Sequence, residues 1–398
     1  MAATKFLLQN FPSHDRYQIL DSDPVLTPAL IVYPDPIASN VQCTLDLLDG
    51  NADRWRAHIK TAKLNFTLRM LLDRGVRNFK CATTLELYEA CRSGATDVLV
   101  AYLVMAANAR RVREISREFP DVSISVLVEH EDQIRQWRGT EIGIFLDINP
   151  GMNRTGIEQT AQKRVLDLAL ATKQAGLEFR GLHYYDGQFG SVDEPERTQA
   201  AHAGYDRLME LVRELEHAGV PVTEIVTAGT PALPCSLAYN PFRSGNFIHR
   251  VSPGTVVYND ATSLAQLPSQ YGYMPAALVL ARVVSQPRPG IVTCDAGHKA
   301  VSADAGIPTC VVMGHAELTP LSPSEEHLPL EVKEGTEAPR IGDLLYLIPR
   351  HVCPTVNNFD AALIVRKGRI QSVEKVSARG HEGPMLENPV AARTLVKG

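Results

Sequence analysis

Across residues 26–260, short runs of apolar and β-branched residues alternate with longer amphipathic stretches, the pattern of strands joined by crossover helices. Eight such runs stand out: ALIVY (29–33), RWRAHIK (54–60), NFKCATT (78–84), DVLVAYL (97–103), SISVLVE (123–129), EIGIFLDIN (141–149), FRGLHYYDG (179–187) and EIVTAGTP (224–231). The spacers are helical in period. Residues 158–174 put Val165, Leu168 and Ala169 on one face, and in 194–217 Tyr205, Leu208, Met209, Val212 and Leu215 recur at three- and four-residue spacing before a Gly219 stop. Eight parallel strands, each followed by a crossover, predict a (β/α)8 barrel, with an open doubly wound sheet as the alternative.

After Tyr271 the pattern shifts to short alternating runs separated by Pro and Gly, among them ALVLARVVSQ, GIVTCDAG, TCVVMG, LPLEVKE, DLLYLIP and AALIVRKGRIQSVEKVSARG. These predict an antiparallel β domain with loops at 287–290 and 318–326. The expected division is a barrel over 26–270 and a β domain over 271–398, joined by the N-terminal 1–25, whose TKFLLQNF (4–11) would add a strand.

A chain of 398 residues with 44% hydrophobic and 21% charged residues has the make-up of a globular protein of this size. Its 40 Lys+Arg against 45 Asp+Glu give a net charge of -5, which argues against nucleic acid or an anionic membrane as a partner. The longest apolar stretch, VLVAYLVMAA (98–107), is about half the roughly 20 residues that span a bilayer, and the opening residues lack a secretory apolar region. Seven cysteines, an odd number without C-x-x-C spacing, suit reduced thiols in the cytoplasm rather than a disulfide framework or a zinc ribbon.

A barrel of this kind places its chemistry at the C-terminal ends of its strands. In RWRAHIK, strand alternation sets His58 and Lys60 on the same face as Arg56, directing three polar groups at a lumen that usually takes Val or Leu. A lysine desolvated there holds its proton less tightly, as a Schiff-base amine requires. Two small-residue turns, Gly229-Thr230-Pro231 and Ser252-Pro253-Gly254-Thr255, offer a phosphate cup. In the second domain, His351 and Cys353 are two residues apart, so on a strand an imidazole and a thiolate would share one cation. Glu325, Glu326 and His327 read first as a charged loop, His298 and Lys299 as a polar turn, and Trp55 and Trp137 as packing groups.

The motifs RAHIKTAK, FKCATTLEL, DINPGMNRTGI, GLHYYDGQ, TAGTP, SPGTVVYND, CDAGHKAVS, PSEEHL and RHVCPTVN, in this order, resemble the D-threonine aldolase and D-serine dehydratase family from about Leu26 to about Arg379. The resemblance implies a (β/α)8 barrel of the alanine racemase N-terminal type with an appended antiparallel β domain. It implies pyridoxal 5′-phosphate on Lys60, with Lys63 as the competing amine; Ala57 and Ala62 depart from the family's usual Pro and His. Arg154 and Tyr185 fall on residues beside the cofactor ring, and Gly229, Thr230 and Gly254 on its phosphate cup. His351 and Cys353 fall on a divalent-metal element, for which Zn2+ suits the thiolate, with Mn2+ or Mg2+ as alternatives. The implied protein is a homodimer that cleaves a small D-3-hydroxy-α-amino acid to glycine and an aldehyde. The alternative is D-serine dehydratase-type elimination to a 2-oxo acid and ammonia, ahead of an amino-acid racemase or a non-catalytic cofactor carrier.

Overall fold

The computed structural model describes residues 14–386. In chain order its strands are β1 (Ala29–Val32), β2 (Arg56–His58), β3 (Asn78–Cys81), β4 (Asp97–Val100), β5 (Ser123–Val128), β6 (Gly143–Asn149), β7 (Ile157–Glu158), β8 (Phe179–Tyr184), β9 (Glu224–Thr227) and β10 (Ile248–Val251). The second region adds β11 (Ala277–Arg288), β12 (Ile291–Cys294), β13 (Cys310–Val312), β14 (Leu318–Pro320), β15 (Leu328–Val332), β16 (Leu344–Pro349), β17 (Ala361–Arg366) and β18 (Arg369–Lys375).

Strands β2, β3, β4, β5, β6, β8, β9 and β10 lie side by side in that order, all parallel, and a bridge between Trp55 and Val251 brings the last edge back to the first. The predicted barrel is therefore present, but its strand list changes at both ends. The ALIVY run is not a barrel strand: β1 pairs antiparallel with β11 and parallel with β17 in the other sheet. A short run buried on both faces reads the same in either sheet, so periodicity could not separate the two. The missing barrel strand is β10, IHRV, whose His249 and Arg250 hide it from an apolar scan. The turn at Gly229 thus follows the seventh barrel strand and the turn at Gly254 the eighth.

Crossover helices carry local stop and start signals. Thr83 caps the helix Thr84–Ser93 by accepting from the Glu86 amide, and Gly94 ends it in the left-handed region at φ 103°. The amphipathic stretches predicted at 158–174 and 194–217 form helices Gln162–Gln174 and Glu196–His217.

The lumen is layered. At the N-terminal ends of the strands, the fully buried Arg56 guanidinium grips Glu224 at 2.7 and 2.8 Å and Asp97 at 2.8 and 3.1 Å, the forked geometry that suits paired carboxylates. Arg180 and Arg250 close the same network. Burial alone would raise the Asp97 carboxyl, but Arg56 and Arg180 hold it well below the usual carboxylate range. Above this ionic floor lies a dry layer of Leu99, Leu127, Phe145 and Val226, and above that a polar layer that faces the mouth.

The second sheet runs β14-β15-β12-β11-β1-β17-β18, with β16 and β13 on a branch from β11. It is antiparallel except where β1 meets β17. Residues before β1 pack on it: Ile19 donates its amide to the Tyr346 hydroxyl, and the Tyr17 hydroxyl donates to the Pro275 carbonyl. The expected strand at 4–11 lies outside the described residues. The sheet region reaches the barrel mouth where Ala378 donates to the Lys63 carbonyl and Val352 to the Asp260 carboxylate.

Candidate active site

A cavity of about 370 Å³ opens where β2, β8, β9 and β10 end. Lys60, Arg154, Tyr185, Gly229, Thr230, Gly254, His351 and Cys353 all line it, so the residues singled out in two distant parts of the sequence share one space. Lys60 is partly buried just past β2, with its Nζ 5.7 Å from the centre of the Tyr185 ring. Lys63 stands elsewhere: its Nζ is buried against Glu86 at 2.5 Å. An amine held in a buried ion pair is a poor nucleophile, which separates the two lysines. The Arg154 guanidinium reaches from the rim to within 5.0 Å of the same ring.

The proposed phosphate end is shaped by close approach. A Cβ on Gly254 would meet the His58 carbonyl oxygen at 2.2 Å, and one on Gly229 would meet the Tyr185 ring at 2.9 Å. The Trp55 indole donates to the Pro253 carbonyl at 2.9 Å and pins the turn from behind. Asp186 props the other turn by accepting from the Gly229 amide at 3.1 Å and from the Tyr205 hydroxyl at 2.5 Å. Burial pushes the Asp186 carboxyl up to about 6 while those two donors pull against it. Thr230 is 6% exposed, and its hydroxyl has no partner among the described residues. A buried donor left unpaired is costly, so the cavity suits a polar ligand group there.

His351 and Cys353 are not on a strand as expected. The segment turns into a helix, Val352–Asn357, with His351 at its N-cap, and Pro354 sits in the first turn where no amide partner is lost. The cap geometry still lets both side chains line the same cavity. Burial by itself lowers the His351 imidazole, but Cys353 and Asp304 together push it up to about 9. Burial likewise opposes ionisation of Cys353, and His351, Lys60 and the Thr61 hydroxyl hold the thiol below its ordinary value. That favours the thiolate, the form that ligates metals. Among the described residues no group of three or more His, Cys, Asp or Glu is placed to hold a metal. A cation here would have two protein donors and open positions.

The polar layer beneath contains residues the sequence reading passed over. Lys80 of β3 is 1% exposed, with Nζ 2.5 Å from Ser252 Oγ and 3.4 Å from His183 Nε2. His183 Nδ1 is 2.8 Å from Asp147, which accepts from the Thr155 hydroxyl at 2.8 Å. Lys80 falls in the apolar run NFKCATT, where a lysine on a four-residue strand gives no sign of its direction without the register. Glu325 and Glu326 pair with Lys299 at the surface and do not line the cavity.

Two family models match the chain: the alanine racemase N-terminal domain over residues 32–261, more than half of the chain, and a putative serine dehydratase domain over 276–365. The protein belongs to the alanine-racemase-like family. Within it, the chain is 29% identical over 377 residues to a 3-hydroxy-D-aspartate aldolase of Paracoccus denitrificans, covering 91% of this chain and 94% of that one. It is 26% identical over 374 residues to a D-threonine aldolase of Arthrobacter sp., covering 89% and 93%. A crystal structure of D-threonine aldolase from Filomicrobium marinum superposes with a TM-score of 0.81 at 27% identity, covering 89% of this chain and 96% of that one. These relatives place the chain on the D-threonine aldolase and D-serine dehydratase side of the family. No helix among the described residues is long and apolar enough to cross a membrane.

Proposed function

We propose that the protein is a pyridoxal 5′-phosphate- and divalent-metal-dependent lyase of the D-threonine aldolase type, cleaving a D-3-hydroxy-α-amino acid to glycine and an aldehyde. The observation that carries this reading is the single cavity lined both by Lys60 and by the His351 and Cys353 pair. The similarity to two named aldolases supports it.

The residues present fit both groups. The orphaned Thr230 hydroxyl and the two glycine turns suit a phosphate, and imidazole plus thiolate suit Zn2+, with Mn2+ or Mg2+ as alternatives. When bound, the cofactor supplies an electron sink at the substrate's Cα and the cation a Lewis acid for its 3-hydroxyl. Lys60 would carry the cofactor through Nζ, with Arg154 and Tyr185 beside its ring and Gly229, Thr230 and Gly254 around its phosphate. His351 and Cys353 would donate to the metal. The Thr61 hydroxyl, 2.9 Å from Cys353 Sγ, steadies the thiolate by donating to it, and Asp304 orients the imidazole.

A second reading, elimination to a 2-oxo acid and ammonia, is favoured by the putative serine dehydratase domain over 276–365. Incubation with D-threonine, D-serine and 3-hydroxy-D-aspartate separates the two. Glycine with acetaldehyde, formaldehyde or glyoxylate supports cleavage, a 2-oxo acid with ammonia supports elimination, and no product from any of them overturns both. Loss of turnover on chelation or in Cys353→Ala, with the cofactor still bound, is the expected result for a catalytic metal. The same reading carries a homodimer in the cytoplasm, and light scattering on the purified chain tests the dimer.

A further inference from the structure

Lys80 is enclosed in the lumen yet makes no ion pair among the described residues, whereas the other buried lysine, Lys63, has Glu86. A buried ammonium without a counter-ion is costly. The groups that face it are Lys60 and His58 from the end of β2, Arg56 deeper on the same strand, Asp147 from β6, His183 and Asp186 from the end of β8, and Ser252 after β10. Its Nζ is also 5.4 Å from the Tyr185 ring that Lys60 and Arg154 approach. Ser252 lines the cavity, so Lys80 stands one hydrogen bond behind the wall.

We propose that Lys80 is a positioning residue of the cofactor pocket that takes up a proton when the anionic cofactor fills the cavity and engages Lys60. This rests on the cavity holding pyridoxal 5′-phosphate. Without it, burial and then repulsion from Lys60 push the Lys80 amine down to about 7, although Asp186 and Asp147 pull the other way. Loading adds the negative charge of the phosphate, which favours a proton on Lys80 Nζ. A chain of polar contacts from Lys80 through His183 and Asp147 to the exposed Thr155 hydroxyl connects that nitrogen to solvent. Once charged, Lys80 donates to Ser252 Oγ and holds the turn that carries Gly254.

The test is calorimetric reloading of the full chain, stripped of cofactor, with pyridoxal 5′-phosphate in buffers of different ionisation enthalpy, with visible absorbance followed in parallel. Wild type should take up more protons than Lys80→Met, by about half a proton at pH 7 and close to one at pH 8. Lys80→Arg, charged throughout, should bind cofactor while matching the Met variant in proton count, and it carries the comparison if Lys80→Met fails to fold. A purely structural role would change affinity and leave the proton count alone. Equal counts in wild type and variant, with cofactor bound, overturn the role of Lys80 and leave the proposed function standing. Failure of wild type to bind the cofactor overturns both.

Discussion

His351 Nδ1 lies 2.6 Å from the Asp304 carboxylate, itself held by the Ser302 hydroxyl at 2.8 Å. A ring that keeps its proton on Nδ1 has its lone pair on Nε2, the state a metal ligand needs. Asp304→Asn should weaken metal binding by about 10- to 100-fold while leaving cofactor absorbance unchanged. Competition with a metal-binding dye measures it, and wild-type affinity in the variant would assign Asp304 to the fold alone.

Lys60 and Lys63 should fail in opposite ways. Lys60→Ala should lose the visible cofactor band and its covalent capture by borohydride. Lys63→Met should keep both and lose about 3–5 kcal/mol of stability, because Glu86 is left buried without its cation. Absorbance spectra and urea unfolding distinguish the two, and a retained band in Lys60→Ala would move the Schiff-base role elsewhere.

At Gly254 the obstacle is backbone rather than a side chain that can swing away. A methyl there meets the His58 carbonyl at 2.2 Å, so Gly254→Ala must part the turn from β2. The expected cost is about 1–3 kcal/mol of stability together with a loss of cofactor affinity. Thermal unfolding and cofactor titration read the two effects, and unchanged values in both would show that the turn yields freely.

His249 sets part of the acid limit. It is buried, stacked on Phe242 at 4.3 Å and 2.7 Å from the Thr227 hydroxyl. Burial first, then Arg54 and Arg243, push its imidazole down to about 3 from 6.5. Between those values the unfolded chain holds a proton that the folded chain does not, so stability present at neutral pH is lost as pH falls, by about 1.4 kcal/mol per pH unit. His249→Gln should make that slope shallower without abolishing it, since His58 and His183 are shifted in the same direction. Urea unfolding at neutral pH and at about one unit below the ordinary histidine value gives the slope, and an identical slope in the variant would rule out His249 as a contributor.

The barrel was legible because most of its strands are apolar runs between amphipathic helices, and the exceptions are physical. Ala29–Val32 has the composition of a barrel strand and the pairing of another sheet, a choice that depends on partners far along the chain. Ile248–Val251 is a barrel strand whose Arg250 closes the ionic floor through Glu224, so its pattern does not look apolar. The residues around the cavity follow from motif order, and the helix at His351 shows that the strand geometry expected there is unnecessary for both side chains to line one cavity. Asp147 and His183 are register partners on the paired strands β6 and β8, whereas Lys80 of β3 reaches His183 only through barrel closure, across a separation that no local motif encodes.

The parallel pairing of β1 with β17 also sets an order of biosynthesis. Leu30, Ile31 and Val32 leave the ribosome before any barrel strand, yet Ala362, Leu363 and Ile364 are made after all of them. During synthesis an apolar strand edge waits for its neighbour, an invitation to pair with another nascent chain. His351 and Cys353 emerge just before that neighbour, so translation finishes the proposed cofactor half of the cavity first. A chain stopped short of β16 would have the amine of Lys60 without the proposed metal donors, and an open edge besides.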